Sequence, residues 1–119
     1  MKNEFPIEID GKEFVLKPKF SIIKSIEDSN IVNCSVLEFA NKAVNGEVKI
    51  SQLVEVIYLA IKSQKDSPNR EAIGDAILEK GMTEYLSKVG EFISCAFVGA
   101  EEYARLNSSS DEEGNEDAA

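Results

Sequence analysis

A chain of 119 residues with a hydrophobic fraction of 43% is one ordinary domain's worth of sequence, long enough to bury a single core without disulfides or a metal. Its 22 acidic residues against 13 basic ones give a net charge of −9, which repels phosphate backbones and argues against a basic nucleic-acid footprint. Histidine is absent, which removes the commonest general base, the serine triad and most zinc sites.

The first element is a β-hairpin. Phe5, Ile7 and Ile9 alternate with Pro6 and Glu8, Asp10-Gly11 follows, and Phe14 and Leu16 alternate beyond it. Asp-Gly between alternating apolar runs marks a type I′ turn, because both central residues need positive φ. A two-residue turn pairs Ile9 with Lys12, Ile7 with Phe14 and Phe5 with Leu16, which makes one face apolar. The other face pairs Glu8 with Glu13 and Pro6 with Val15, and it suits solvent. Pro6 cannot donate to a ladder, so its strand lies at an edge. A hairpin alone is marginal and must pack on something.

Helices follow. Lys17-Pro18-Lys19 ends the second strand, and Phe20, Ile22, Ile23 and Ile26 recur at helical spacing to about Asp28. Ser35-Val36-Leu37-Glu38 fits a capping box opening a helix to Val44, and Asn45-Gly46 provides a left-handed stop. A third and most apolar helix is expected from Ser51, carrying Leu53, Val54, Ile57, Tyr58 and Ile61, and it belongs near the centre of the core. Ser67 as N-cap and Pro68 at the first helical position open a fourth, with Ala72, Ile73, Ala76 and Ile77 inward and Lys80-Gly81 at its end. The last is expected from about Thr83 to Arg105, with Leu86, Val89, Ile93, Ala96, Phe97 and Ala100 on its inner side. The expected class is α+β: an N-terminal β-hairpin packed on a bundle of about five short helices.

Residues 1–106 form the expected single domain. Residues 107–119 start as Asn107-Ser108-Ser109-Ser110 and carry Asp111, Glu112, Glu113, Glu116 and Asp117 with no basic residue, which leaves 13 basic against 17 acidic residues elsewhere. Without apolar residues to bury, that acidic tail is expected to be disordered. The start of the chain has no apolar run like a signal peptide, and no stretch is long enough to span a bilayer. A cytoplasmic protein without a membrane partner is expected, with Cys34 and Cys95 reduced.

No catalytic set, cofactor motif or metal cage can be named, so the expectation is a binding module and not an enzyme. No Gly-rich phosphate loop occurs. Asp66-Ser67 resembles the attachment serine of acyl carrier proteins, but Pro68 follows and the pair reads as a helix cap. The run from Asp111 to Asp117 has calcium-ligand residue types without alternating ligand spacing. Lys12, Lys17, Lys19 and Lys24 concentrate positive charge near the hairpin and first helix, a feature complementary to an acidic partner. With the apolar residues Phe5, Ile7 and Phe14, Lys12, Lys17 and Lys19 are the expected partner-binding residues.

The stretch from Ile7 to Phe20 (IEIDGKEFVLKPKF), continuing through Ile23, Ile26 and Glu27, resembles the tail assembly chaperone family of siphophages and gene transfer agents, also described as a phage tail tube protein family. Members open with an apolar-x-apolar-Asp-Gly-Lys hairpin, and a Leu-basic-Pro-x-Phe step leads into a helix ending in an apolar residue and Glu. Lys19 stands where a small hydroxyl residue is usual, removing a helix cap, and the acidic tail lies outside the pattern. The resemblance implies a phage or prophage protein of the bacterial host cytoplasm that binds the tape-measure and tail tube proteins during tail morphogenesis. An exposed hairpin edge that extends a partner's strand, or an apolar groove that takes a partner's helix, are the expected modes, and self-association is compatible with either. Two rival expectations are a structural tail component and an acidic DNA mimic that inhibits a nucleic-acid-binding protein.

Overall fold

The computed structural model describes residues 4–99 and 101–106. The expected tail, 107–119, lies outside the described residues. Strands β1 (Phe5–Ile9) and β2 (Lys12–Leu16) pair antiparallel in the register expected from the turn, with Phe5 opposite Leu16, Ile7 opposite Phe14 and Ile9 opposite Lys12. Asp10 and Gly11 take φ of 55° and 80°, the left-handed pair that a type I′ turn demands. The pair closing such a turn exchanges ladder hydrogen bonds, and the pairs then alternate. Pro6–Val15 is therefore a pair whose backbone groups point outward, so the missing N–H of Pro6 breaks no ladder bond.

Those outward groups are not left free. Val15 N–H donates to Gln64 Oε1 at 3.1 Å, and Gln64 Nε2 donates back to the Val15 carbonyl at 2.6 Å. On the other edge the Tyr85 hydroxyl donates to the Glu8 carbonyl at 2.8 Å. The expected free hairpin edge is thus corrected. One side chain occupies the β2 edge like a short third strand, while proline and a tyrosine blunt the β1 edge.

Five helices follow: α1 (Phe20–Glu27), α2 (Val36–Val44), α3 (Ile50–Ile61), α4 (Arg70–Lys80) and α5 (Met82–Val98). A further helical segment covers 101–106. The fold is α+β, a two-stranded hairpin packed on helices. Helix α3 is central, packing against α1, α4, α5 and β2, and it buries Leu53, Val56, Ile57, Ala60 and Ile61. The apolar hairpin face completes the core, with Phe5, Ile7, Ile9, Phe14 and Leu16 all buried.

Helix ends follow the local chemistry. Ser35 Oγ accepts from Glu38 N–H at 3.1 Å to cap α2. At its other end Gly46, with φ of 72°, donates to the Ala43 carbonyl while Glu47 N–H donates to that of Lys42, a Schellman stop. No side chain caps α1, as the lysine at position 19 implies.

Three expectations need correction. Asn69, not Ser67, caps α4, accepting from Ala72 N–H at 2.8 Å. Ser67 Oγ instead donates to the Lys62 carbonyl at 3.1 Å, and Pro68 stays outside the helix. The last helix does not run through to Arg105: Gly99 at φ of 95° ends α5, because glycine adopts that backbone without a Cβ penalty. Its inner side is also rotated from expectation, burying Tyr85, Val89, Phe92, Ile93 and Cys95 while Phe97 is exposed. The chain beyond Gly99 turns back, and Tyr103 meets Phe5 edge-on with ring centroids 5.6 Å apart.

Candidate partner-docking surface

The six expected partner-binding residues fall into two groups. Phe5, Ile7 and Phe14 are 7%, 5% and 3% exposed, so they build the core that holds the surface and offer little area to a partner. Lys12, Lys17 and Lys19 border solvent, but the hairpin separates them. Lys12 follows the turn, whereas Lys17 lies five residues along the strand, roughly 17 Å away at extended spacing. Lys17 Nζ pairs with Glu4 at 3.9 Å, and Lys24 Nζ pairs with Asp28 at 2.5 Å. Both are solvent-exposed pairs of small energetic weight. The structure therefore brings Lys17 and Lys19 together beside Pro18, and leaves Lys12 at the far end.

Beside that pair lies an apolar surface that includes Phe97, a residue expected on the inner side of the last helix. Phe20 at the start of α1 is 80% exposed, Leu37 in the first turn of α2 45%, and Phe97 at the end of α5 64%. With Pro18, Ile23, Glu27, Val36 and Ala96 they line one groove of about 440 Å³. Three large apolar side chains from three elements around one hollow is an arrangement that solvent disfavours and a partner's apolar anchor can fill.

Polar contacts hold these elements in place. Glu27 Oε2, at the end of α1, accepts from Val36 N–H at 2.9 Å, setting a carboxylate on the positive end of α2. Gln52, 8% exposed, accepts from Lys49 N–H at 3.0 Å and donates to the Val32 carbonyl at 3.2 Å, so it fastens the start of α3 to the α1–α2 connection. Arg70 clamps α4 onto α3. Its Nε lies 2.6 Å from Glu55 Oε1 and its Nη2 3.0 Å from Oε2, with the guanidinium carbon 4.1 Å from the Tyr58 ring centroid.

Burial pushes the pKa of the Tyr85 phenol up, and the Glu84, Glu8 and Glu79 carboxylates add to this against Lys80. The folded state thus holds that proton more tightly than the unfolded chain, whose phenol titrates near pH ~10. Stability contributed by Tyr85 is fully present below that pH and falls as the pH rises past it. Urea midpoints at pH 8 and 11 should diverge more in the unaltered chain than in Tyr85→Phe, and equal divergence would show that the phenol does not titrate there. Burial likewise raises the Cys34 and Cys95 thiols, which are both free. No group of three or more histidine, cysteine or carboxylate side chains suited to a metal occurs among the described residues. No helix among them is long and apolar enough to cross a membrane.

Periodicity missed the exposure of Phe20 and Phe97 because each continues an apolar pattern that reaches buried residues, Ile26 in α1 and Val89 and Ile93 in α5, while Leu37 entered only as part of the α2 capping sequence. A signal was present for Phe97, since Thr83, Ser87, Gly90 and Ser94 share its side of α5, and small or polar residues there do not continue a core. Comparison of the chain with protein-family models, with curated proteins and with solved structures finds no match.

Proposed function

We propose that this protein is a phage or prophage tail assembly chaperone that binds the tape-measure and tail tube proteins reversibly during tail morphogenesis. The resemblance in residues 7–27 supports this reading, and the observation that carries it is the exposure of Phe20. The motif's own phenylalanine, which the Leu-Lys-Pro-Lys step delivers to the start of α1, is turned outward beside Leu37 and Phe97. A residue that served only the domain's own core would be covered. Lys17 and Lys19 next to it give the patch a basic border suited to an acidic segment of the partner. In this reading the chain is a binding module and performs no chemistry.

The test is co-expression with the tape-measure protein or the tube subunit and affinity capture of the full chain. Co-purification is expected, with Phe20→Asp capturing much less at unchanged folding. Clean failure of the unaltered chain to retain either protein overturns the reading, and stoichiometric recovery of the chain in purified virions replaces it with a structural role.

A further inference from the structure

We propose that the face between α2 and α5 is a docking groove for a cationic amphipathic helix, a partner segment with one apolar stripe and lysine or arginine along one flank. The start of α2 meets the end of α5 around the Phe20 patch, so the two helices run antiparallel. Beyond that patch a second hollow of about 550 Å³ continues between them, with Ala40, Ala43, Ser87 and Gly90 in its lining and Val44 and Leu86 among its larger side chains. Val44 is 86% exposed. From Thr83 to Ser94 the lining extends about 16 Å along α5, which is three turns of a partner helix.

Gly90 indicates what the hollow is for. Glycine inside a helix is unfavourable relative to alanine, and the cost is usually recovered by close packing. At Gly74 a Cβ would lie 3.6 Å from Val54 Cγ2, an ordinary contact inside the fold. At Gly90 a Cβ would meet nothing within 4 Å. No contact among the described residues accounts for the missing side chain, and Gly90 lines the hollow.

Charge selects the occupant. Glu84 and Glu91 are exposed and two turns apart on the same side of α5, and neither forms an ion pair among the described residues. Lys88 is half-buried and lies farther round the helix from Gly90, about 160° at 100° per residue. The α2 wall offers neutral Asn41 between Leu37 and Val44. An apolar floor with acids along one side fits a helix whose apolar stripe is flanked by cations. A second copy of this chain would bring the same glutamates, and strand addition is hindered because Gln64 takes both outward Val15 groups and Tyr85 the Glu8 carbonyl.

This deepens the proposed function and rests on it only for the identity of the natural partner. The test uses the full chain and two synthetic helical peptides with the same leucine stripe, one flanked by lysines and the other by glutamates, at about 150 mM salt. The lysine peptide should bind, with amide shifts concentrated on α2 and α5. Gly90→Leu, which fills the hollow, and Val44→Lys, which sets a cation on an exposed wall, should each weaken binding about ten-fold, the effect of losing a central contact. Equal affinity for the glutamate peptide, shifts confined to 107–119, or unchanged affinity in both variants overturns the proposal, as does a sedimenting dimer with α2 and α5 at its interface. Capture of the tape-measure protein separates the two readings. If Gly90→Leu captures it as well as the unaltered chain does, the groove falls and the chaperone stands. If neither captures it while the lysine peptide still maps to the groove, the chaperone falls and the groove stands.

Discussion

Phe14→Ala is expected to destabilise the protein by about 3–5 kcal/mol, the usual cost of removing a fully packed phenylalanine side chain. Phe14 is 3% exposed, faces Ile7 across the hairpin, and contributes to the core shared with the helices. The loss comprises the transfer energy of the ring and the void it leaves, since neighbouring side chains can relax only in part. Against a total stability of roughly 5–15 kcal/mol for a domain of this kind, that is a large fraction. Urea denaturation checks it: the midpoint should fall with little change in slope. A loss below about 1 kcal/mol would mean that the ring is not packed as described and is free to serve a partner directly.

The second large effect concerns the hairpin edge. Gln64→Ala removes the acceptor for Val15 N–H and the donor to its carbonyl together. Val15 is half-buried, so water replaces part of what is lost, and the expected cost is about 1–2 kcal/mol for the two bonds. The more telling consequence is local. Amide exchange at Val15 should accelerate far more than at Phe14, whose N–H lies inside the ladder with β1. The bared edge should also favour self-association at high protein concentration. If Val15 exchange is unchanged, the side-chain amide does not protect that edge.

The hairpin was legible because its rules are short-range. Alternation sets which residues face inward, Asp10-Gly11 sets the turn, and the turn sets the register. Helix α2 was legible for the same reason, with Ser35 and Gly46 marking its ends. The break at Gly99 was harder to read, since an isolated glycine in an apolar helical pattern is tolerated as often as it terminates, and Gly90 continues the helix nine residues earlier. The cap of α4 was misplaced at Ser67, whose hydroxyl goes to the Lys62 carbonyl while Asn69 caps the helix, a choice that the connection's three-dimensional path decides.

The candidate surface was legible only in part. Phe20 and Phe97 have the residue type and spacing of core positions, and periodicity carries no information on whether a neighbouring element covers a given stripe. That depends on how α1, α2 and α5 meet, which is a tertiary property. The reverse held for Phe5, Ile7 and Phe14, where an apolar hairpin face met the core it needed and left the neighbouring lysines at the surface.

The contact between Phe5 and Tyr103 has a consequence for how the protein is made. Strand β1 leaves the ribosome early, yet one of its core partners is α5 and its aromatic cover comes from the segment after Gly99, both translated much later. Until those residues emerge the nascent hairpin lacks part of its shelter, a window in which greasy strands invite wrong partners. Glu8 and Glu13, set opposite each other on the exposed side of that ribbon, put charge where such a partner would dock.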